Sequence, residues 1–211
     1  SCLSFATSRR RAETAAAADA GKQILQGACL EDGPLLRFNE VIDMDCIIRP
    51  WKISDRERLA GLLNNPKVQD NLRDGLPFPY TPADGEEYIC AMLAADRTKT
   101  FAFAITAEGD VVGSIGVFRQ ENIHFRTAEL GYYIGEPYWG RGFATSAVKQ
   151  VCQYVFDHSD ILRIFAEPFA RNTASCRVLE KAGFQFEGTL RSNAVKNGEV
   201  LDMKLYARVR A

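Results

Sequence analysis

The sequence is poor in the residues that build metal sites. Its 211 residues include only two histidines, and none of its six cysteines is spaced as Cys-x-x-Cys. Structural zinc sites draw on four cysteine or histidine ligands, which commonly occur in pairs at short spacing. The sequence therefore predicts no metal site.

Long apolar runs and a strong net charge are also absent. No apolar stretch approaches the ~20 residues of a membrane-spanning helix, and the formal net charge is −1. A nearly neutral chain creates no field that would favour nucleic acid or a membrane surface, so neither is expected as a partner. The hydrophobic content of 46% and the charged content of 25% are typical of a globular protein with a real core.

The cysteines favour a reducing compartment. Cys152 and Cys176 lie among apolar residues of predicted helices, as buried thiols commonly do. Disulfides are rare where thiols are kept reduced. We therefore expect a cytoplasmic protein.

Residues 1–44 differ in composition from the rest of the chain. Residues 8–11 form a basic cluster, residues 15–18 are all alanine, and no acidic residue precedes Glu13. Because alanine favours helix, we expect an N-terminal extension that is partly helical or flexible, followed by one domain over residues 45–211. A transit peptide has a similar composition and is the alternative. An interaction segment that itself carries the function is another.

Residues 129–147 predict a strand, a tight loop and a helix. Residues 130–134 are aromatic or aliphatic, as in a buried strand, and Gly140 and Gly142 interrupt the chain after them. From Ala144 the apolar residues recur at helical spacing. A glycine loop that opens a helix lets the backbone approach a ligand and presents unpaired N–H groups to it, which favours an anion such as phosphate.

This loop matches neither common nucleotide motif. A P-loop ends in Gly-Lys-Ser/Thr, whereas residues 142–144 read Gly-Phe-Ala. A dinucleotide fingerprint has three glycines near the start of an alternating strand–helix unit. On the glycines alone, an ordinary turn between a strand and a helix remains the alternative.

Strands and helices alternate along the rest of the chain, which predicts an α/β arrangement around a mixed sheet. A hairpin turn is predicted at residues 108–110. Ser54 or Asp55 is predicted to cap a helix that runs to Leu63. Thr81 or Asp84 is predicted to cap the helix at 83–95. The other predicted strands are 46–49, 100–106, 111–118, 161–169, 184–189 and 199–209, and the other predicted helices are 67–72, 83–95 and 172–182.

Residues 139–144, Trp-Gly-Arg-Gly-Phe-Ala, resemble the pyrophosphate-binding motif of the GNAT superfamily of N-acetyltransferases. The general pattern is Gln/Arg-x-x-Gly-x-Gly/Ala, and Trp139 in the first place is familiar from the RimJ/RimL-type branch. Residues 172–184 are similar to the helix and Gly-Phe ending of that fold. Residues 49–51, 71–74 and 78–81 are similar to the opening of the branch, so the resemblance spans residues 46–210.

The resemblance implies a fold, a reaction and a co-substrate. The fold is α/β (α+β), with a mixed, mostly antiparallel central sheet flanked by helices and splayed strands that form the acetyl-CoA cleft. The reaction is acetyl transfer from acetyl-CoA to an amine by direct attack, without metal. A protein or peptide N-terminal α-amine is the leading acceptor. A small amine (amino acid, polyamine or antibiotic) is the alternative, and so is a coenzyme A-binding regulator without activity. A monomer and a homodimer both remain open.

The resemblance also implies cofactor contacts. The backbone of Tyr132 and Ile134 is expected to pair with the pantetheine arm, and an N–H there can stabilise the oxyanion of the tetrahedral intermediate. Asn172 is a further candidate, although its side chain is also a good helix N-cap. Residues expected at the pyrophosphate are Trp139, Gly140, Arg141, Gly142, Phe143, Ala144 and Thr145. Arg141 can equally be a solvated loop residue.

The attacking amine must be neutral, so a base is expected. Glu129 is the candidate, because it is a carboxylate in an otherwise apolar strand beside the expected thioester. Glu167 and His124 are rivals. The alternative is that Glu129 faces solvent or bridges to Arg126. For the leaving thiolate, many family members use a tyrosine where this chain has Leu179, and Ser175, one turn after the helix start, is the candidate instead.

The acceptor site is expected at residues 71–80 and at the closing hairpin near residues 191–199. Asp74, Phe78 and Tyr80 are the candidate substrate-binding residues, with the carboxylate of Asp74 attracting a cationic amine. The alternative is that these three are turn residues and core anchors.

Overall fold

The computed structural model describes residues 46–210. The predictions for the N-terminal extension, residues 1–44, therefore lie outside the described residues. The strands are β1 (Ile47–Arg49), β2 (Thr100–Ala107), β3 (Asp110–Arg119), β4 (Thr127–Ile134), β5 (Arg163–Ala166), β6 (Gln185–Lys196) and β7 (Glu199–Val209). The helices are α1 (Arg56–Leu63), α2 (Pro66–Gln69), α3 (Pro82–Ala94), α4 (Phe143–His158) and α5 (Thr173–Lys181), with 3₁₀ turns at Ile53–Asp55, Asn122–His124 and Glu136–Tyr138.

The seven strands form one sheet in the order β1-β2-β3-β4-β5-β7-β6. Only the pair β4–β5 is parallel, and the other five pairs are antiparallel. The parallel connection runs through α4, as a crossover helix must. This topology confirms the mixed, mostly antiparallel sheet flanked by helices.

Two apolar layers cover the two faces of the sheet. One cluster joins the strands to α4 and α5 and includes Leu130, Val151 and Leu179. The second joins the other face to α1 and α3 and includes Ile89 and Tyr133. Because side chains alternate along a strand, β4 contributes to both layers. We call these the α4–α5 face and the α1–α3 face.

Local sequence signals explain several boundaries. The Thr81 hydroxyl accepts a hydrogen bond from the backbone N–H of Asp84, and the Asp84 carboxylate accepts from the Thr81 N–H, a capping box that starts α3. Glu108 and Gly109, with φ of 55° and 84°, turn the chain between β2 and β3. Gly183, with φ of 85°, follows the last turn of α5 and ends the helix.

Other boundaries differ from the predictions. Asp55 is the N-cap residue of α1, one of the two predicted positions, but its side chain makes no capping hydrogen bond to this helix, because its carboxylate instead pairs with Arg49 and accepts from the Lys52 N–H. The strand predicted at 161–169 is only Arg163–Ala166. The strand predicted to end at Thr189 continues to Lys196. Two register irregularities shift the alternation of its side chains, so its sequence does not show a continuous period-two pattern.

No helix within residues 46–210 combines the length and the apolar character that a bilayer crossing needs.

Candidate active site

The sheet opens between its two parallel strands. β4 and β5 pair only from Thr127 with Arg163 to Glu129 with Phe165. β5 ends at Ala166, whereas β4 continues to Ile134. The last five residues of β4 therefore border a gap, which is the splayed cleft expected from the sequence.

The β4 backbone presents alternate residues to this gap. Gly135 N donates to Val112 O at 2.9 Å, and Gln120 N donates to the carbonyl oxygen of Thr127 at 2.8 Å, so odd-numbered residues bond to β3. Because peptide groups alternate in an antiparallel ladder, those of Tyr132 and Ile134 point to the opposite side. These are the two residues expected to pair with pantetheine.

The loop after β4 has the backbone geometry of an anion site. Gly140 and Gly142 have φ of 77° and 85°, a conformation that L side chains rarely adopt. The first intrahelical bond of α4 runs from Ser146 N to Gly142 O at 3.1 Å. The N–H groups of Phe143, Ala144 and Thr145 precede that bond and have no acceptor within the helix. They lie at the positive end of a 16-residue helix dipole.

Trp139 and Arg141 brace the loop. The Trp139 indole Nε1 donates to Ile134 O at 2.7 Å, which joins the loop to the end of β4. The Arg141 guanidinium lies 4.7 Å from the centre of the Phe143 ring and pairs with Glu108 of the β2–β3 turn. These two contacts hold the guanidinium beside the loop.

A tyrosine hydroxyl reaches Ser175 across the gap. The Tyr132 hydroxyl lies 2.8 Å from Ser175 Oγ. The Ser175 N–H donates to Asn172 Oδ1 at 3.0 Å, so Asn172 caps α5 and fixes the serine. Burial raises the pKa of Tyr132, which keeps its proton in place. Leu179 lies in the core. A hydroxyl-bearing pair is therefore built from a strand and a helix, in which the sequence indicates the hydroxyl of Ser175 but points to Tyr132 only for its backbone.

The α1–α3 face holds two carboxylates on one arginine. Arg73 contacts Glu129 through both terminal nitrogens, with Nη1 3.4 Å from Oε2, and Nη2 also lies 3.6 Å from Glu167 Oε2. The alternative that Glu129 faces solvent or bridges to Arg126 is wrong, since Glu129 is 4% exposed and Arg126 pairs with Asp160. Burial is the main cause that raises the pKa of Glu167, and the Glu129 charge adds to it.

The three predicted substrate residues lie in different surroundings. Phe78 is exposed and lines a groove of about 450 Å³. Asp74 is exposed and pairs with Lys196 Nζ at 2.6 Å. Tyr80 is 3% exposed and its hydroxyl donates to Asp84 O, so it is a core anchor, the alternative that the sequence left open. The groove is lined by Pro66, Lys67, Gln69, Asp70, Phe78, Lys196 and Asn197.

Polar contacts join the groove walls. Arg171, just before α5, lies 2.8 Å from Glu199 and 3.1 Å from Asp70 through its two Nη atoms. Asn197 Nδ2 donates to Asp70 Oδ1 at 3.0 Å. We call Asp70, Arg171, Asn197 and Glu199 the groove clamp. It fixes the segment after α2, which carries Arg73, to the β6–β7 turn.

The remaining predictions concern His124 and metal. His124 is exposed in the 3₁₀ turn before β4, so it does not reach the gap. Across residues 46–210, no group of three or more histidine, cysteine or acidic side chains could hold a metal ion.

The gap has different chemistry on its two sides. The glycine loop and the Tyr132–Ser175 pair belong to the α4–α5 face, whereas Arg73 and its carboxylates belong to the α1–α3 face. An anionic ligand can bind the first face and a cationic one the second. Two substrates can therefore meet in the gap, with hydroxyl donors on one side and proton acceptors on the other.

Comparison with known proteins agrees with this arrangement. A family model described as an acetyltransferase (GNAT) domain matches residues 45–185. The probable N-acetyltransferase YjcK of Bacillus subtilis (strain 168) is 34% identical over 166 residues, which cover 76% of this chain and 91% of that protein. The L-amino acid N-acetyltransferase AaaT of Escherichia coli (strain K12) is 26% identical over 167 residues, 79% of this chain and 99% of that protein.

The fold also matches solved structures. One is the structure of RimL, a ribosomal L7/L12 alpha-N-protein acetyltransferase, in complex with coenzyme A. It superposes with a TM-score of 0.70 at 21% sequence identity and covers 78% of this chain and 94% of that one. At this identity the likeness concerns the fold.

Proposed function

The chain belongs to the GNAT acetyltransferase family, and from this premise we propose that it acetylates the N-terminal α-amine of a protein or peptide. Family membership makes it an acetyl-CoA-dependent N-acetyltransferase. The observation that carries the proposal is the gap between β4 and β5, with an anion loop on one face and paired carboxylates on the other. The catalytic domain in this proposal is residues 45–211.

Acetyl-CoA binds on the α4–α5 face in this proposal. The pyrophosphate accepts hydrogen bonds from the first N–H groups of α4, beside Trp139 to Thr145, with Arg141 as a nearby positive charge. The pantetheine amides pair with the β4 edge at Tyr132 and Ile134, as an added strand would. The thioester then lies beside Glu129 and Tyr132, where the gap is narrowest.

The acceptor enters from the α1–α3 face. A carboxylate of the Glu129–Glu167 pair takes the proton from the amine, which then attacks the thioester carbonyl carbon. The oxyanion that forms accepts from a backbone N–H of the β4 edge. The carbon–sulfur bond breaks as Ser175, hydrogen-bonded to the Tyr132 hydroxyl, donates a proton to the thiolate, and the serine regains a proton as the nitrogen loses its second one on becoming an amide. One proton is released for each ammonium that becomes an amide.

The base suits an α-amine better than a lysine. With a pKa near 8, roughly a tenth of an α-amine is already neutral at pH 7, against well under a thousandth of a lysine amine near 10.4. A carboxylate has to supply only modest help in the first case. In this proposal the groove beside Phe78, formed in part by the segment that carries Arg73, holds the rest of the peptide chain.

A small amine is the second candidate acceptor. The relative named as an L-amino acid N-acetyltransferase aligns over nearly its whole length with this chain, and an amino acid also presents an α-amine. The proton chemistry would then be unchanged, and only the use of the groove would differ.

Release of the coenzyme A thiol tests the proposal. Acetyl-CoA is offered with short peptides that vary in their first residue, with the same peptides blocked at the α-amine, and with amino acids, spermidine and an aminoglycoside. We expect release with open peptides and none with blocked ones. Release with small amines alone would move the function to the second candidate. No thiol release with any acceptor, while coenzyme A still binds, would favour a non-catalytic regulator and overturn the proposal.

The compartment is a smaller part of the proposal. Cys90, Cys152 and Cys176 carry thiols rather than disulfides among the described residues. Two of them are buried, and this usage supports a reducing, cytoplasmic setting.

A further inference from the structure

Lys196 is buried although it carries a charge. It is the last residue of β6, it is 8% exposed, and it is the one buried lysine among residues 46–210. Lysine is almost never fully buried without a partner, because removing its ammonium from water costs free energy. Its partner, Asp74 Oδ1 at 2.6 Å, belongs to a side chain that is 72% exposed. The pair is therefore open to solvent on the aspartate side, and packing alone does not account for the burial of the lysine.

The Lys196 ammonium has unused hydrogen-bond donors. An ammonium carries three N–H donors, and within the described part of the chain Lys196 Nζ makes one hydrogen bond, to Asp74. Lys196 also lines the groove beside Phe78. Its two remaining donors are therefore available to a ligand that enters this groove.

The charges of the groove lining favour a negative ligand. Lys67 is exposed and pairs with Glu136, so water satisfies its other donors. The Asp70 carboxylate accepts hydrogen bonds at both oxygens, from Arg171 and from Asn197. The lining thus has two ammonium groups against one carboxylate that a guanidinium already neutralises. A carboxylate complements this lining, since opposite charges across an interface give specificity.

Asp74 connects Lys196 to the carboxylates of the gap. It directly follows Arg73, whose guanidinium contacts Glu129 and Glu167. Neighbouring Cα atoms are about 3.8 Å apart, whereas an extended peptide advances about 3.3 Å per residue. With the lengths of the two side chains added, the separation between the carboxylates and the Lys196 ammonium corresponds to a few residues of an extended acceptor.

Given the proposed acetylation of a peptide α-amine, on which this inference rests, we propose that Lys196 determines acceptor specificity by binding an aspartate or glutamate side chain in the first few residues of the acceptor. The acidic side chain accepts from the donors that Asp74 leaves unused. Asp74 holds the ammonium in place before the acceptor binds, and its charge limits the affinity by repelling a second carboxylate. A free amino acid carries its carboxylate beside its amine, so this contact selects for peptides.

The test measures KM for acceptor peptides that differ only by Asp or Asn at position 2, 3 or 4, with acetyl-CoA at saturation. We call the KM of the Asn peptide divided by that of the Asp peptide the acidic preference. At the position that reaches Lys196, we expect an acidic preference of about 10-fold in the wild type, the ratio that the weaker charge-assisted hydrogen bonds provide.

Two variants separate recognition from a structural role of the ion pair. Lys196→Met keeps an unbranched side chain and should bring the acidic preference close to 1. Asp74→Asn should raise the preference severalfold, because it removes the competing charge while the ammonium stays. If the pair only shaped the groove, both variants would break it and would change the preference in the same direction. Lys204→Met is the matched control, since Lys204 lies over the Phe186 ring and outside the groove lining, and it should keep the wild-type preference.

Equilibrium binding of the same peptides to the enzyme with coenzyme A bound measures recognition without turnover. An acidic preference in binding without acetylation would overturn the proposed function and leave this inference standing. Peptides acetylated without an acidic preference, a preference that persists in Lys196→Met, or changes in the same direction for Lys196→Met and Asp74→Asn would overturn the inference. Peptides that do not bind at all would overturn both.

Discussion

Tyr132 and Tyr133 are neighbours in β4 whose hydroxyl groups lie on opposite faces of the sheet. The Tyr132 hydroxyl lies 2.8 Å from Ser175 Oγ, whereas the buried Tyr133 hydroxyl has no hydrogen-bond partner among residues 46–210. The same chemical group is thus part of a polar pair at one position and isolated in an apolar layer at the next. Removing each hydroxyl distinguishes a role in catalysis from a role in packing.

We predict that Tyr132→Phe lowers kcat by roughly 10-fold, less than a full general-acid effect because a thiolate is a tolerable leaving group. The dissociation constant for coenzyme A should stay unchanged, since the backbone at Tyr132 is kept. Steady-state kinetics and calorimetric titration measure the two quantities. Tyr133→Phe is the control and should behave as wild type, because it deletes an unbonded polar group. Equal kinetics for both variants would exclude the Tyr132 hydroxyl from the reaction.

Single residues were partly predictable from the sequence. Glu129, Ser175 and Asn172 could be selected because each lies next to a recognisable motif. Arg73 could not, since its partner Glu129 is 56 positions away and its charge resembles that of any loop arginine. The Tyr132–Ser175 contact spans 43 positions and depends on how α5 packs against the sheet. Such contacts follow from tertiary geometry, which no local spacing records.

At the scale of elements, the loop from β4 to α4 depends on two glycines with positive φ. Gly142 is the N-cap of α4, directly ahead of the N–H groups that face the expected pyrophosphate. A side chain there is strained, and a negative one also opposes the ligand. The effect on binding should therefore exceed the effect on stability.

We predict that Gly142→Asp abolishes detectable coenzyme A binding in a calorimetric titration. Gly183→Asp is the matched control, because Gly183 has the same φ of 85° and open space around an added Cβ, but ends α5. Both variants should lose some thermal stability through the backbone strain, and only Gly142→Asp should lose the cofactor. Unchanged affinity in Gly142→Asp would show that the cofactor uses another loop.

Element boundaries were predictable where backbone chemistry is local. The Glu108–Gly109 turn, the Thr81–Asp84 capping box and the Gly183 cap each satisfy their own hydrogen bonds within a few residues. The short β5 and the long, irregular β6 were not predictable in this way. β5 ends where the sheet parts, and β6 lies at the edge of the sheet with most of its residues exposed, so neither shows a clean hydrophobic period.

At the scale of the whole molecule, the groove clamp ties together segments from distant parts of the chain. Arg171 bonds to both Asp70 and Glu199, and its side chain is 36% exposed. Exposed ion pairs add little to folding stability, typically below about 1 kcal/mol. Their effect here should instead be on the shape of the groove beside Phe78, which we propose for the acceptor.

We predict that Arg171→Met raises the KM for a peptide acceptor severalfold, while the KM for acetyl-CoA and the melting temperature change little. High salt should raise the acceptor KM of the wild type in the same direction, because screening weakens the clamp. Arg163→Met is the control, since it breaks a comparably exposed pair with Glu187 away from the groove. Equal acceptor KM values for the two variants would show that the clamp does not shape the site.

The two ends of the described chain lie at opposite ends of α4. The Cys46 thiol donates a hydrogen bond to Phe143 O, in the first turn of the helix. The Gln150 side chain accepts a hydrogen bond from the Ile48 N–H and donates one to Cys46 O. Arg210 bonds to Ser159 O and Leu162 O just beyond the last turn. A helix of 16 residues is about 24 Å long. A probe at Arg210 would therefore report from about a helix length away from the glycine loop, whereas one at Cys46 would lie beside that loop.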